Sequence, residues 1–338
     1  MSTSRGDVTA LARLAEIDAW RLDGDSSAAD ARSKEWHHFA IFGVGWTALF
    51  NLNLDGPSGA RAIAVIQHEG WRARVARCKS PRVRRGHLDA VFDDAGMRWR
   101  DGRYEVWMRD RGLSLEATLT PASTPSLSHD IALGPGARLN WCLVPRLVAS
   151  GRFAHGETHV RFEDRPAYHD HNWGRFAWGG DFAWEWGCGV PDDSASPWTV
   201  IFARMNDRAL RRTTARSVFL LRDGRHLRYF RDAEVRFVTE GAVVARPIAR
   251  APAAAALLLP DEDRDVPSRT LIEAQRGDDR VEITVSAETR GQLLVPSEVD
   301  LRRVVRVNEA HGRVRVAGRC DGERVSFEGA SLLEVVRG

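Results

Sequence analysis

Residues 46–57 read Trp46-Thr47-Ala48-Leu49-Phe50-Asn51-Leu52-Asn53-Leu54-Asp55-Gly56-Pro57. Trp46, Ala48, Phe50, Leu52 and Leu54 recur at every second position, and Asp-Gly-Pro closes the run. A period of two is the signature of a strand, and Asp-Gly-Pro that of a turn. The same period sets in at Glu35 and predicts strands at 36–42, 46–54, 62–68, 72–78, 88–92, 104–109 and 114–120. Asp94-Ala95-Gly96, Asp101-Gly102 and Arg111-Gly112 supply turns between several of them. Further strands are expected at 139–144, 158–162 and 167–171.

Toward the C-terminus the pattern continues at 182–189, 198–206, 216–222, 227–230 and 234–238, with Asp223-Gly224 a strong hairpin turn. After the Ala/Pro-rich segment 245–260, strands resume at 271–275, 280–287, 292–295, 314–317 and 324–327. Toward the N-terminus the period changes to that of a helix. Leu11, Leu14, Ile17 and Trp20 predict an amphipathic helix over 8–20, and 21–34 reads as a linker. The expected fold is all-β: two consecutive antiparallel barrels of about eight to ten strands each. The expected divisions are a helical appendage at 1–34, a first barrel at 35–178 and a second at 179–338, parted near Gly174, Gly179 and Gly180.

Composition sets limits on function. The 338 residues carry 49 Lys+Arg and 46 Asp+Glu, a net charge of +3, which is too weak to imply a nucleic-acid partner. Lys34 and Lys79 are the only lysines, a bias that a GC-rich genome explains. Cys78, Cys142, Cys188 and Cys320 form no C-x-x-C pair, so neither a disulfide framework nor a cysteine zinc site is expected, and a reducing cytoplasm fits. The longest apolar run, 253–259, is too short to span a bilayer, so membrane contact is expected to be peripheral at most. No dinucleotide, Walker, G-x-S-x-G or H-E-x-x-H motif is present.

The chemistry concentrates in Tyr168-His169-Asp170-His171-Asn172-Trp173-Gly174 and the following Asp181-Phe182-Ala183-Trp184-Glu185-Trp186-Gly187. Trp173, Trp178, Trp184, Trp186 and Trp198 fall within 26 residues. On a strand, Tyr168, Asp170 and Asn172 share one face, and His169, His171 and Trp173 the other. Phe182, Trp184 and Trp186 likewise share a face, with Glu185 opposite. Tryptophan is ordinary structural bulk, but an Asp and two His among so many rings are costly to bury without partners. An acid in an aromatic cavity holds its proton more readily, a neighbouring imidazole can relay it, and indole faces stabilise a cation. His169-x-His171 also fits two ligands of a metal, with Glu185, His159 or His37 as candidates for the rest, though nothing in the spacing selects among them. No metal and no organic cofactor is expected.

Two further stretches complete a resemblance. Glu35-Trp36-His37-His38-Phe39 is similar to the opening strand, and Gly322–Gly329 to the closing strand, of the lipocalin-like carotenoid 1,2-hydratase (hydroxyneurosporene synthase) family; the 168–187 block resembles its central motif. His37 and His38 stand where that family has aromatics. The resemblance implies two lipocalin-like barrels, a hydrophobic small-molecule substrate, and hydration or cyclisation of an isoprenoid-like alkene. It makes Asp170 the acid, with His169, His171 and Tyr168 relaying or orienting the proton. Asn172, Trp173, Trp178, Trp184, Glu185, Trp186, Trp36 and His37 would contact substrate. Two other expectations stand beside it: a pericyclase that folds a polyene by shape, and a non-catalytic lipid or pigment carrier.

Overall fold

The computed structural model describes residues 13–24, 30–56, 59–193, 195–244, 249–252 and 265–338. The chain divides into two compact units, residues 1–132 with 136–176, and 133–135 with 177–338. Each is built on one large antiparallel, lipocalin-like β-sheet.

The first unit holds β1 (Ser33–Gly43), β2 (Trp46–Leu54), β3 (Ala60–His68), β4 (Trp71–Cys78), β5 (Arg82–Val83) and β6 (Ala90–Phe92). It continues through β7 (Ala95–Arg100), β8 (Arg103–Arg109), β9 (Leu113–Pro121), β10 (Ser126–Gly134), β11 (Ala137–His155) and β12 (Thr158–Arg175). The spatial order is β4-β3-β2-β1-β12-β11-β9-β8-β7-β6-β5, so β1 and β12 lie side by side near the middle. The inner face carries Phe39 and Ile41 of β1, Phe50 and Leu52 of β2, Met97, Leu115, Leu119 and Phe153, packed into one apolar core.

The second unit holds β13 (Ala183–Pro191), β14 (Trp198–Asn206), β15 (Thr213–Arg222), β16 (Arg225–Arg231), β17 (Val235–Glu240) and β18 (Ala249–Ala251). Then come β19 (Arg269–Arg276), β20 (Asp279–Pro296), β21 (Val304–Cys320) and β22 (Glu323–Arg337). Their order is β16-β15-β14-β13-β22-β21-β20-β19-β17, with a short parallel pairing of β18 on β20. Phe202, Phe230, Ile283, Val316 and Val335 fill its core.

The expected hairpins form as their turn residues require. Asp101-Gly102 and Asp223-Gly224 both adopt positive φ at the two central positions, the conformation that matches strand twist in two-residue loops. The strands expected at 158–162 and 167–171 are one continuous strand, β12. The single strand expected at 139–144 runs on to His155, past Pro145. A register shift between Val144 and Leu147 accommodates that proline, which cannot donate to the ladder.

The N-terminal segment departs from expectation. Its helix α1 (Leu14–Ile17) is a single turn, and residues 8–12 of the expected helix lie outside the described residues. Residues 13–24 are no appendage: Leu14 and Trp20 are fully buried in the first core. Trp20 and Gly24 are also tied by backbone hydrogen bonds to His87, Gly86 and Val83. All four cysteines are free and buried. No helix among the described residues is long and apolar enough to cross a membrane.

Candidate functional site

Two polar clusters sit back to back on the β1–β12 pair. The register places His37 against His171, His38 against Asp170 and Trp36 against Asn172. Directly opposed residues point to the same side of a sheet. The period-two alternation therefore sends His37, His169, His171 and Trp173 into the first unit's interior. Trp36, His38, Tyr168, Asp170 and Asn172 go to the other side of the same two strands.

On that outer side, Asp170 is buried, with 5% of its surface exposed. The Tyr168 hydroxyl donates to its Oδ2 at 2.8 Å, and Asn172 Nδ2 donates to its Oδ1 at 2.6 Å. Its neighbour His38 is buried and bonds Asn51 Oδ1 through Nδ1 at 2.8 Å. Burial pushes the His38 imidazole down, so it favours the neutral ring, although the Asp170 charge and the Asn51 bond work the other way. Trp36 on β1 and Trp141 on β11 oppose Asn172 from its two sides, so both indoles share the face of Asp170.

On the inner side, the N-terminal segment brings in Asp18, fully buried. Its Oδ2 accepts from the Tyr104 hydroxyl at 2.7 Å and meets His169 Nε2 at 2.9 Å. Its Oδ1 lies 3.2 Å from His171 Nδ1 and 3.9 Å from His37 Nδ1. His171 Nε2 meets Glu35 Oε1 at 2.7 Å, and Glu35 also accepts from the backbone N–H groups of Arg21 and Leu22. His169 Nδ1 contacts the His38 carbonyl oxygen at 2.8 Å. The His37 ring stacks on His171 at 3.9 Å and packs at a tilt against Trp20 at 4.4 Å.

Burial alone would raise the Asp18 carboxyl, but the charges of His169 and His37 and the contacts of His169 and His171 hold it well below the usual carboxylate range. Burial drives His37 well down, helped by the neighbouring His171. Burial would also lower His171, but Asp18 and Glu35 on its two nitrogens raise it to about 9. Asp18, His37 and His169 form one triad of potential metal donors, and Glu35, His37 and His171 another.

Several sequence-predicted roles change. His169 and His171 face away from Asp170 and so cannot relay its proton. Trp173 lies with them, 4.8 Å from the His171 ring and under the Arg21 guanidinium, rather than walling the Asp170 side. His37 belongs to the inner cluster. His159, ten residues before His169 on β12, lies outside that cluster. Trp178, Trp184, Glu185 and Trp186 belong to the second unit. There Trp178 packs on Trp184 at 5.7 Å, and Phe182 stacks on Trp184 at 5.5 Å. Glu185 faces that unit's interior and is held by Arg204 and Arg337, beside a cavity of about 370 Å³. A carboxylate claimed by two guanidiniums is not a free acid.

Sequence reasoning missed Asp18 and the polar role of Tyr104. Asp18 left one local trace: it is the acidic residue between Ile17 and Trp20, in the otherwise apolar end of the segment.

No protein-family model matches the chain, and no curated protein matches it in sequence. Solved structures share its fold. A protein assigned as AttH from Nitrosomonas europaea superposes with a TM-score of 0.61 at 16% identity, covering 94% of this chain and 96% of its own. Kievitone hydratase from Nectria haematococca gives 0.61 at 11% identity, over 95% of this chain and 97% of its own. CghA with Sch210972 gives 0.56 at 13% identity, over 91% and 89%. At these identities the likeness is one of fold.

Proposed function

We propose that the chain is an enzyme that protonates a carbon–carbon double bond of an apolar, isoprenoid-like natural product. Water, or a nucleophile within the substrate, then captures the cation. The observation that carries this reading is Asp170, buried, gripped on both oxygens by Tyr168 and Asn172, and sharing its face with Trp36 and Trp141, which flank the neighbouring Asn172. The fold shared with kievitone hydratase agrees with a hydration, and the site chemistry supports it independently.

Each carboxyl oxygen offers two lone-pair directions. Tyr168 and Asn172 occupy one on each oxygen, which fixes the plane of the group and leaves a site for an acid proton. That proton passes to the less substituted alkene carbon, and the cation forms on the more substituted one. Indole faces stabilise it by roughly 0.5–2 kcal/mol for each good contact. Water bonds to the cation and returns one proton to Asp170, so the acid is regenerated and no redox partner is needed. His38, held neutral by burial, orients the attacking water or the substrate hydroxyl.

Asp170→Asn keeps the shape and removes the acid. With circular dichroism and melting unchanged, turnover of a prenylated or polyene substrate is expected to fall by about a hundred- to ten-thousand-fold. Undiminished turnover in that variant, with strong losses from reshaping Trp36 or Trp141, would overturn the acid role in favour of a cyclisation driven by shape.

A further inference from the structure

The inner cluster has no part in the proposed reaction, and its geometry is unusual for a mere packing of polar groups. We infer that Asp18, His37, His169 and His171 form a binding site for one divalent first-row metal ion, zinc in preference. The site lies inside the first unit, behind the Asp170 face, and does not depend on the proposed function.

Four buried atoms here have no hydrogen-bond partner: Asp18 Oδ1, both ring nitrogens of His37, and His171 Nδ1. Three of them converge. Asp18 Oδ1 is 3.2 Å from His171 Nδ1 and 3.9 Å from His37 Nδ1, while Asp18 Oδ2 is 2.9 Å from His169 Nε2. Ligand atoms bound to a tetrahedral ion at about 2.0–2.1 Å lie roughly 3.3 Å apart. The three observed separations straddle that spacing; Asp18, His37 and His169 already bring their donor atoms within 4.8 Å of one another, and His171, with Nδ1 3.2 Å from Asp18, is the fourth donor. Imidazole nitrogens with a carboxylate oxygen are the donor set that zinc favours over calcium or magnesium.

The second layer of contacts is that of a metal-bound histidine. A ligating imidazole usually gives its other N–H to a carboxylate or a backbone carbonyl, which fixes the tautomer. His171 Nε2 meets Glu35 at 2.7 Å, and His169 Nδ1 meets the His38 carbonyl at 2.8 Å. Those bonds leave His171 Nδ1 and His169 Nε2 to face Asp18.

Asp18 comes from the N-terminal segment, and the histidines from β1 and β12. The ion would therefore pin residues 13–24 onto the sheet, and its role is structural.

The test uses the full chain without a histidine tag, stripped with chelator and titrated with Co2+ and then Zn2+. One equivalent should bind, with the visible absorption of a four-coordinate cobalt ion and a higher melting temperature. The His37 ring makes no hydrogen bond, so His37→Leu should fold by circular dichroism yet lose stoichiometric binding. Glu35→Gln should weaken binding by about 10–100-fold. Should the folded wild-type chain take up no ion, or His37→Leu bind cobalt as tightly with the same spectrum, the assignment is wrong. The wild-type titration decides the matter even if a variant fails to fold.

Discussion

The ring of Tyr168 is fully buried, while its hydroxyl ends 2.8 Å from Asp170 Oδ2. Tyr168→Phe keeps the ring and removes the donor. A typical intramolecular hydrogen bond is worth about 0.5–1.5 kcal/mol, and a loss of that order is expected in urea unfolding. Turnover should slow with little change in KM, because the lost bond orients the acid rather than the substrate. A variant with wild-type kcat and wild-type stability would mean that the bond does no work. At this scale the sequence was legible in one respect: alternation assigned Tyr168, Asp170 and Asn172 to one face and His169, His171 and Trp173 to the other, and both sets stand so. Alternation does not say which face looks inward or what lies across it. The partner of His169 is Asp18, 151 residues away, and no local pattern encodes such a contact.

Among the elements, the N-terminal segment carries the most consequence for its size. Trp20 is fully buried against His37 and Phe92, and the backbone beside it bonds Glu35. Trp20→Ala is expected to cost about 3–5 kcal/mol, read by denaturant unfolding, with faster tryptic cleavage at Arg13 and Arg21. A loss within error would show that the segment docks without contributing to stability. The helical period of Leu14, Ile17 and Trp20 was real in sequence, yet one turn formed, because tertiary burial of Leu14 and Trp20 decides the path and short helices are marginal alone. The joined strand β12 was hidden by Pro166 for a similar reason. A proline ends a strand in a single-sequence reading, whereas the sheet keeps it in the ladder opposite Val148.

At the scale of the whole molecule, each unit keeps its own core and its own buried charges. In the second, Glu185 is held by Arg204 and Arg337. Glu185→Gln strands two partly buried guanidiniums, and a loss of about 3–5 kcal/mol is expected, measured as a fall in the unfolding midpoint. The all-β architecture was legible because period-two runs and Asp-Gly turns recur along most of the chain. The candidate site was legible only in its densest block, since Asp170 carries Tyr168 and Asn172 within the strand while Trp36 and Trp141 come to its face through pairing with Asn172. The reaction class is open to one direct measurement: turnover of a prenylated substrate in deuterium oxide, with the product analysed by mass spectrometry and NMR. Proton delivery by Asp170 predicts one solvent deuterium on the former alkene carbon in the wild-type product and none formed by Asp170→Asn. A product made at full rate without solvent hydrogen at that carbon, or an Asp170→Asn variant that labels as well as wild type, would contradict it.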